Sequence, residues 1–196
     1  MFYPFRALTV TFPPLLFLFL LLLALPASAL DYTVEPSHTY ASFEIDHLGF
    51  STQRGQFKRT SGNIEFDAEA RRGSVDITID TASIDTGFEL RDEVLRGDAW
   101  LKVEDFPHAL FRSEHFIFDE EKLIGLEGRL TLLGETKPMR LEISRFKCGF
   151  NLANRKRGCG ADAHGMLRRS EFGLQTGLPF IGDEIRLRIQ VEAYLP

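Results

Sequence analysis

The chain has 196 residues, 44% hydrophobic and 26% charged, with 23 Lys and Arg against 28 Asp and Glu for a net charge of −5. An acidic chain with only two short basic clusters, Arg155-Lys156-Arg157 and Arg168-Arg169, is a poor nucleic-acid binder, and both clusters read as solvated loop and strand-face charges. The length is enough for one domain with its own core.

The N-terminus has the layout of a secretory signal peptide. One cation, Arg6, precedes an apolar run densest over 15–25 (LLFLFLLLLAL), and Pro26-Ala27-Ser28-Ala29 supplies small residues in an A-x-A arrangement. Cleavage is expected after Ala29, leaving residues 30–196 as the mature domain with no stable membrane span. The run is short for a span, and the residue directly after the cleavage site is Leu30, not a cysteine that could carry a lipid anchor.

Beyond Ala29, alternation of period two dominates. In HTYASFEIDH (38–47), Ala41, Phe43 and Ile45 share one side and His47 closes it. Val75, Ile77 and Ile79 alternate with Asp76, Thr78 and Asp80. A possible capping box, Thr86 with Glu89, opens a single short helix over 88–96, and Gly97 stops it. The stretch ALFRSEHFIF (109–118) is apolar on both parities near its end and its faces cannot be assigned. Ile124, Leu126, Leu130 and Leu132 then share a face, as do Met139, Leu141 and Ile143, and finally Ile185, Leu187, Ile189, Val191 and Ala193. Short turn signals between the runs imply hairpins, hence an antiparallel meander. Roughly eight to ten such strands hide their edges best by closing into a β-barrel; a two-sheet sandwich is the other architecture.

Cys148 and Cys159 bracket a turn-rich loop, and in an exported chain such a pair reads as a disulfide, with metal binding as the rival. Chemistry elsewhere is sparse. The five histidines, His38, His47, His108, His115 and His164, show neither H-x-H nor H-E-x-x-H spacing, and there is no G-x-S-x-G. His47 has two readings: a polar group inside a cavity, available to a ligand head group, or an inward histidine satisfied by a backbone carbonyl or a neighbouring side chain where the strand nears the rim. His38 reads as turn structure. Arg91 faces an anionic ligand head, pairs with a nearby carboxylate or closes the lid against the barrel.

The mature chain resembles the YceI-like family over nearly its whole length. The resemblance is carried by H-x-x-x-x-F-x-I-x-H-x-G-x-S from His38 to Ser51, by Gly55-Gln56-Phe57, Ser83-Ile84-Asp85-Thr86, Arg91-Asp92 with Leu95, and Phe106-Pro107 with Phe111. G-x-L-T-L-x-G-x-T-K-P from Gly128 to Pro138, Arg169-Ser170-Glu171-Phe172-Gly173 and Gly182-Asp183 continue it. Cys148 with Cys159-Gly160-Ala161-Asp162-Ala163 resembles its disulfide-bearing branch. The resemblance implies a lipocalin-like barrel in the periplasm. It also implies an apolar tunnel holding an isoprenoid or other long-chain amphiphile such as a polyprenyl phosphate, a quinone tail or a fatty amide. A carrier of that kind is expected to need no catalytic residue, cofactor or metal. Two positions depart from the family pattern: Val94, where the family often has histidine, and Trp100-Leu101-Lys102, where it has two aromatics and an aspartate. Both fall in the expected lid.

The expected ligand-binding set is Phe43, Ile45, His47, Phe57, Ile77, Ile79, Arg91, Leu126, Leu130, Leu141, Ile143, Leu187 and Ile189. Parity alone does not separate residues that line a cavity from residues that fill the barrel. Two other functions stay open: a filled barrel acting as a protein-interaction module, and a metal-dependent hydrolase or lyase built on His38, His47 or His115. A homodimer is also open.

Overall fold

The computed structural model describes residues 29–196. Residues 1–28 of the expected leader lie outside them. Among the described residues eleven strands form one antiparallel sheet: β1 (Leu30–Val34), β2 (Tyr40–His47), β3 (Ser51–Phe57), β4 (Thr60–Asp67), β5 (Arg72–Asp80), β6 (Ile84–Asp85), β7 (His108–Asp119), β8 (Lys122–Leu132), β9 (Glu135–Asn151), β10 (Lys156–Arg168) and β11 (Ile181–Tyr194). One helix, α1 (Glu89–Arg96), lies between β6 and β7. The strands β4, β5, β7, β8, β9, β10 and β11 follow one another as a meander, and β1 closes the ring by pairing with both β4 and β11. This is an eight-stranded closed barrel. β2 and β3 continue the first two staves: β2 pairs with β11, Ile189 opposite Ala41, and β3 pairs with β2, Phe57 opposite Ala41.

Three neighbouring staves break at one level, and the breaks have local causes. At 35–39 the Glu35 carboxylate accepts the Ser37 and His38 N–H groups, and Pro36 has no N–H to give to a ladder. At 80–83 the Asp80 carboxylate accepts the Ala82 N–H, an Asx-type turn. Between them, Lys58 donates to the Ser83 carbonyl (3.1 Å) and Arg59 to the Ser83 hydroxyl (3.0 Å). Beyond this level β6 is paired with β3 alone, and α1 with residues 97–107 lies against that end. The ladder therefore stops where a side opening can form.

Two sequence expectations need correction here. α1 has no Thr86–Glu89 capping box: Phe88 is the cap residue and makes no side-chain cap bond. The buried Asp92 carboxylate instead accepts the Thr86 N–H (2.9 Å) and its hydroxyl, while Glu89 pairs with Arg96 at 3.2 Å. Gly97 does end the helix, its N–H bonding the Val94 carbonyl. The faces of 109–118 and of Ile124 are set by register shifts between Ser113 and His115 and between Ile117 and Phe118. Each shift reverses the parity. Phe111 is therefore buried, Phe116 and Phe118 pack against the core too, and Leu123 rather than Ile124 is the core residue.

The half of the barrel away from these breaks is filled. Val75, Phe111, Leu123, Leu126, Met139, Leu141 and Ile143 form one buried cluster. Phe66, stacked on Phe116 at 5.9 Å and edge-on to Phe146 at 5.3 Å, extends it to the end where β1 starts. Cys148 and Cys159 face each other across β9 and β10 and are disulfide-bonded, clamping the long hairpin near that end.

Candidate ligand-binding cavity

The other half is hollow. A cavity of about 370 Å³ lies above the plug, within the range of roughly 300–1,000 Å³ usual for small-molecule sites. Its wall is β2 and β3 (Ala41, Phe43, Ile45, Phe57), β5 and β7 (Ile79, Ala109), β8 (Leu130, Leu132) and β11 (Ile185, Leu187, Ile189). Leu130 and Leu167 belong both to the cavity wall and to the plug, and so mark the floor. Phe43 lies across Gly55, where an added Cβ would come within 2.5 Å of the ring; that glycine gives the ring its room.

Of the thirteen expected ligand-binding residues, Phe43, Ile45, His47, Phe57, Ile79, Arg91, Leu130, Leu187 and Ile189 line the cavity. Ile77, Leu126, Leu141 and Ile143 do not: the last three are buried in the plug and Ile77 packs against it. All point inward, but they sit too deep. His47 is the final residue of β2, at the cavity end, and its ring makes no hydrogen bond to another described residue. His38, by contrast, is an exposed turn residue whose Nδ1 meets Glu35 Oε2 at 2.6 Å, which raises its pKa.

The lid contributes residues that parity could not supply: Val94 and Leu95 of α1, then Trp100, Leu101, Leu174 and Ile181. Both positions that depart from the family pattern thus border the cavity. Arg91 reaches from α1 to the barrel, its Nη1 donating to Gln53 Oε1 (2.6 Å) and its Nε and Nη2 to Thr86 (2.7 and 2.8 Å).

Arg169 is the largest surprise. Expected as a solvated charge, it is fully buried and borders the cavity. Its guanidinium donates to the carbonyls of Gly182 (2.8 Å), Leu174, Thr176 and Ile181 (each 2.9 Å), with the Trp100 ring 5.7 Å from Cζ. Burial pushes its pKa down, and the nearby Asp183 carboxylate works against that shift. An arginine stays charged under such a shift. It fastens the loop at 174–180 and the start of β11 over one side of the cavity. The residue pattern holds no sign of this, because a carbonyl cage is made by backbone and has no sequence signature.

The electrostatics are one-sided. The lining includes Arg54, Arg91 and Arg169 and no carboxylate. Arg54 is paired with Glu44 at 3.0 Å, but neither Arg91 nor Arg169 has a carboxylate within salt-bridge distance among the described residues. Among these residues there is also no cluster of three or more His, Cys, Asp or Glu that could hold a metal ion, and no helix long and apolar enough to cross a membrane.

A closed antiparallel barrel, plugged at one end and hollow and apolar at the other, belongs to the lipocalin-like class of folds. The sequence profile of the YceI-like domain matches residues 32–193, so the chain belongs to the YceI-like family. It is 38% identical over 169 residues to a UPF0312 protein of Enterobacter sp. (strain 638) and 36% identical to Protein YceI of Salmonella arizonae, covering 85% of this chain and 87% of each relative. Among solved structures, the Campylobacter jejuni YCEI protein is similar at TM-score 0.65 and 28% identity, over 77% of this chain and 90% of that one. A polyisoprenoid-binding domain from Saccharophagus degradans shares the fold at TM-score 0.64 and 14% identity, over 85% of this chain and 99% of its own.

Proposed function

We propose that this protein is a periplasmic carrier, released from its leader after Ala29, that holds one long-chain isoprenoid-like amphiphile in the barrel for transport, storage or sequestration. The observation that carries this reading is the cavity itself: an apolar wall open at one end, with its cations and no acid in the lining. The chain of the ligand lies along Phe43, Ile45, Ile79, Leu130, Leu187 and Ile189. Its polar end lies toward His47, Gln53 and Arg91, where a phosphate, a quinone carbonyl or an amide carbonyl finds donors. The polyisoprenoid-binding domain of Saccharophagus degradans, alike in fold, is in keeping with such a ligand.

Energetics favour the same reading. Each buried methylene contributes about 0.8 kcal/mol, so about ten supply some 8 kcal/mol before ordering costs. That gross figure corresponds to an affinity of roughly micromolar scale, reached with no catalytic group. The test is a titration with unbranched amides and isoprenoid alcohols of increasing length. Affinity is expected to tighten by about fourfold per added methylene until the cavity is full and then level off, at one ligand per chain. Affinity independent of chain length would refute the carrier reading.

A further inference from the structure

Six of the large exposed apolar side chains gather at the cavity end of the barrel: Leu48, Phe50, Phe88, Leu90, Val94 and Phe180. They come from three segments that surround one opening. Leu48 N–H bonds the Phe180 carbonyl at 2.9 Å, which joins the β2–β3 turn to the residue before β11. Arg91 ties α1 to Gln53 on β3 and lies 6.0 Å from the centre of the Phe88 ring. Leu90 and Val94 are one helical turn apart, and Val94 is 59% exposed while also lining the cavity. Apolar surface is therefore continuous from the cavity wall to the outside.

The fold gives no local reason for these residues. Phe50 is 90% exposed. Leu48 with φ 59° and Gly49 with φ 71° are the central residues of a β-turn closed by Phe50 N–H to the His47 carbonyl, within the three-residue β2–β3 loop. Asn, Asp or Gly suits both positions, and a leucine at the first pays in backbone strain while exposing its side chain.

We propose that this rim docks on a phospholipid bilayer, inserting its apolar side chains between the headgroups so that cargo passes between membrane and cavity without crossing water. The inference rests on the carrier reading, because a long-chain amphiphile resides in lipid before it is bound. A second copy seated on the rim would instead seal the mouth. Charges beside the rim are of both signs, Arg54 and Arg91 with Asp46 and Glu89. Docking is therefore set by apolar insertion and is insensitive to salt.

The experiment is flotation of the purified protein, its N-terminus fixed by mass spectrometry, with vesicles of phosphatidylcholine, with and without phosphatidylglycerol. Wild type is expected to float with both, at low and high salt. Phe50→Ser and Phe180→Ser each lower the bound fraction severalfold, and the double variant lowers it at least tenfold. Leu152→Ser, 85% exposed in the β9–β10 turn at the opposite end, leaves it unchanged. No flotation of wild type, rim variants that bind as wild type does (as an attached leader would cause), or an equal loss with Leu152→Ser overturns the proposal. So does a dimer in sedimentation that the rim variants dissolve while wild type ignores vesicles. Organic extraction of the same samples separates the two ideas. Lipid-free protein that still floats refutes the carrier reading alone, and lipid-loaded protein that does not float refutes docking alone.

Discussion

Replacing Ala109 by phenylalanine separates ligand binding from folding. Ala109 is buried on β7, opposite Ile79, and its methyl group borders the cavity. A benzyl side chain there takes the room of about four to five chain methylenes. At about 0.8 kcal/mol each, the ligand loses about 3–4 kcal/mol, a rise in Kd of a few hundredfold. Inserting a ring into a packed core costs about 1–3 kcal/mol, but here it meets open space, so stability is expected to stay within about 1 kcal/mol of wild type or to rise. The assay is titration with a long-chain fluorescent amide, paired with denaturant unfolding of the same preparation. A folded variant that binds the amide as tightly as wild type would refute the placement of the chain beside β7.

The plug should behave in the opposite way. Leu141→Ala removes a side chain packed over Gly165, at a cost of about 2–5 kcal/mol by denaturant unfolding, with less than a twofold change in amide affinity; a large affinity loss in a folded variant would place the chain deeper than the floor at Leu130. Arg169→Met leaves four carbonyls without their donor. Part of the loop can rehydrate, so the expected loss is about 3 kcal/mol with faster amide exchange at Leu174 and Ile181, and unaltered exchange would contradict the clamp. Asp80 and Asp183 both titrate below the usual carboxylate range: at Asp80 burial acts upward but Arg59 and the Ala82 N–H outweigh it, and at Asp183 the Ser170 N–H leads. Groups with depressed pKa stabilise the fold above their unfolded value of about 3.9 and lose that contribution as pH falls through the folded one. The unfolding midpoint should therefore hold from neutral pH to about 5 and fall below about 4, less steeply in Asp80→Asn. A midpoint that rises over that interval would refute the assignment.

Much of the barrel is legible in the chain. Alternation along Ile185–Ala193 and along Ala41–His47 fixes which side chains point inward, short turns fix the meander, and the pairing of Cys148 with Cys159 follows from the hairpin they bracket. Period two carries no information on depth, however. Ile77 and Ile79 are equivalent by parity, yet only Ile79 reaches the cavity, because the breaks at 35–39, 58–59 and 81–83 decide where the barrel opens. Phe116 and Leu123 depend on register shifts that arise from pairing between strands. Thr86 offered a cap to Glu89 but bonds Asp92, a competition between two acids on one helix that only the packing of α1 resolves. Arg169 is read wrongly from sequence because its partners are backbone carbonyls of the segment that follows it, which carry no side-chain signature.

The most direct test of the account is to extract the protein, purified under native conditions from its own cells, into organic solvent and weigh what it carries by mass spectrometry. The account predicts one long-chain lipid per protein, absent from Ala109→Phe and retained by Leu141→Ala. Wild-type protein that is repeatedly free of lipid, or that carries it equally in Ala109→Phe, would contradict the claim that this cavity is a lipid site.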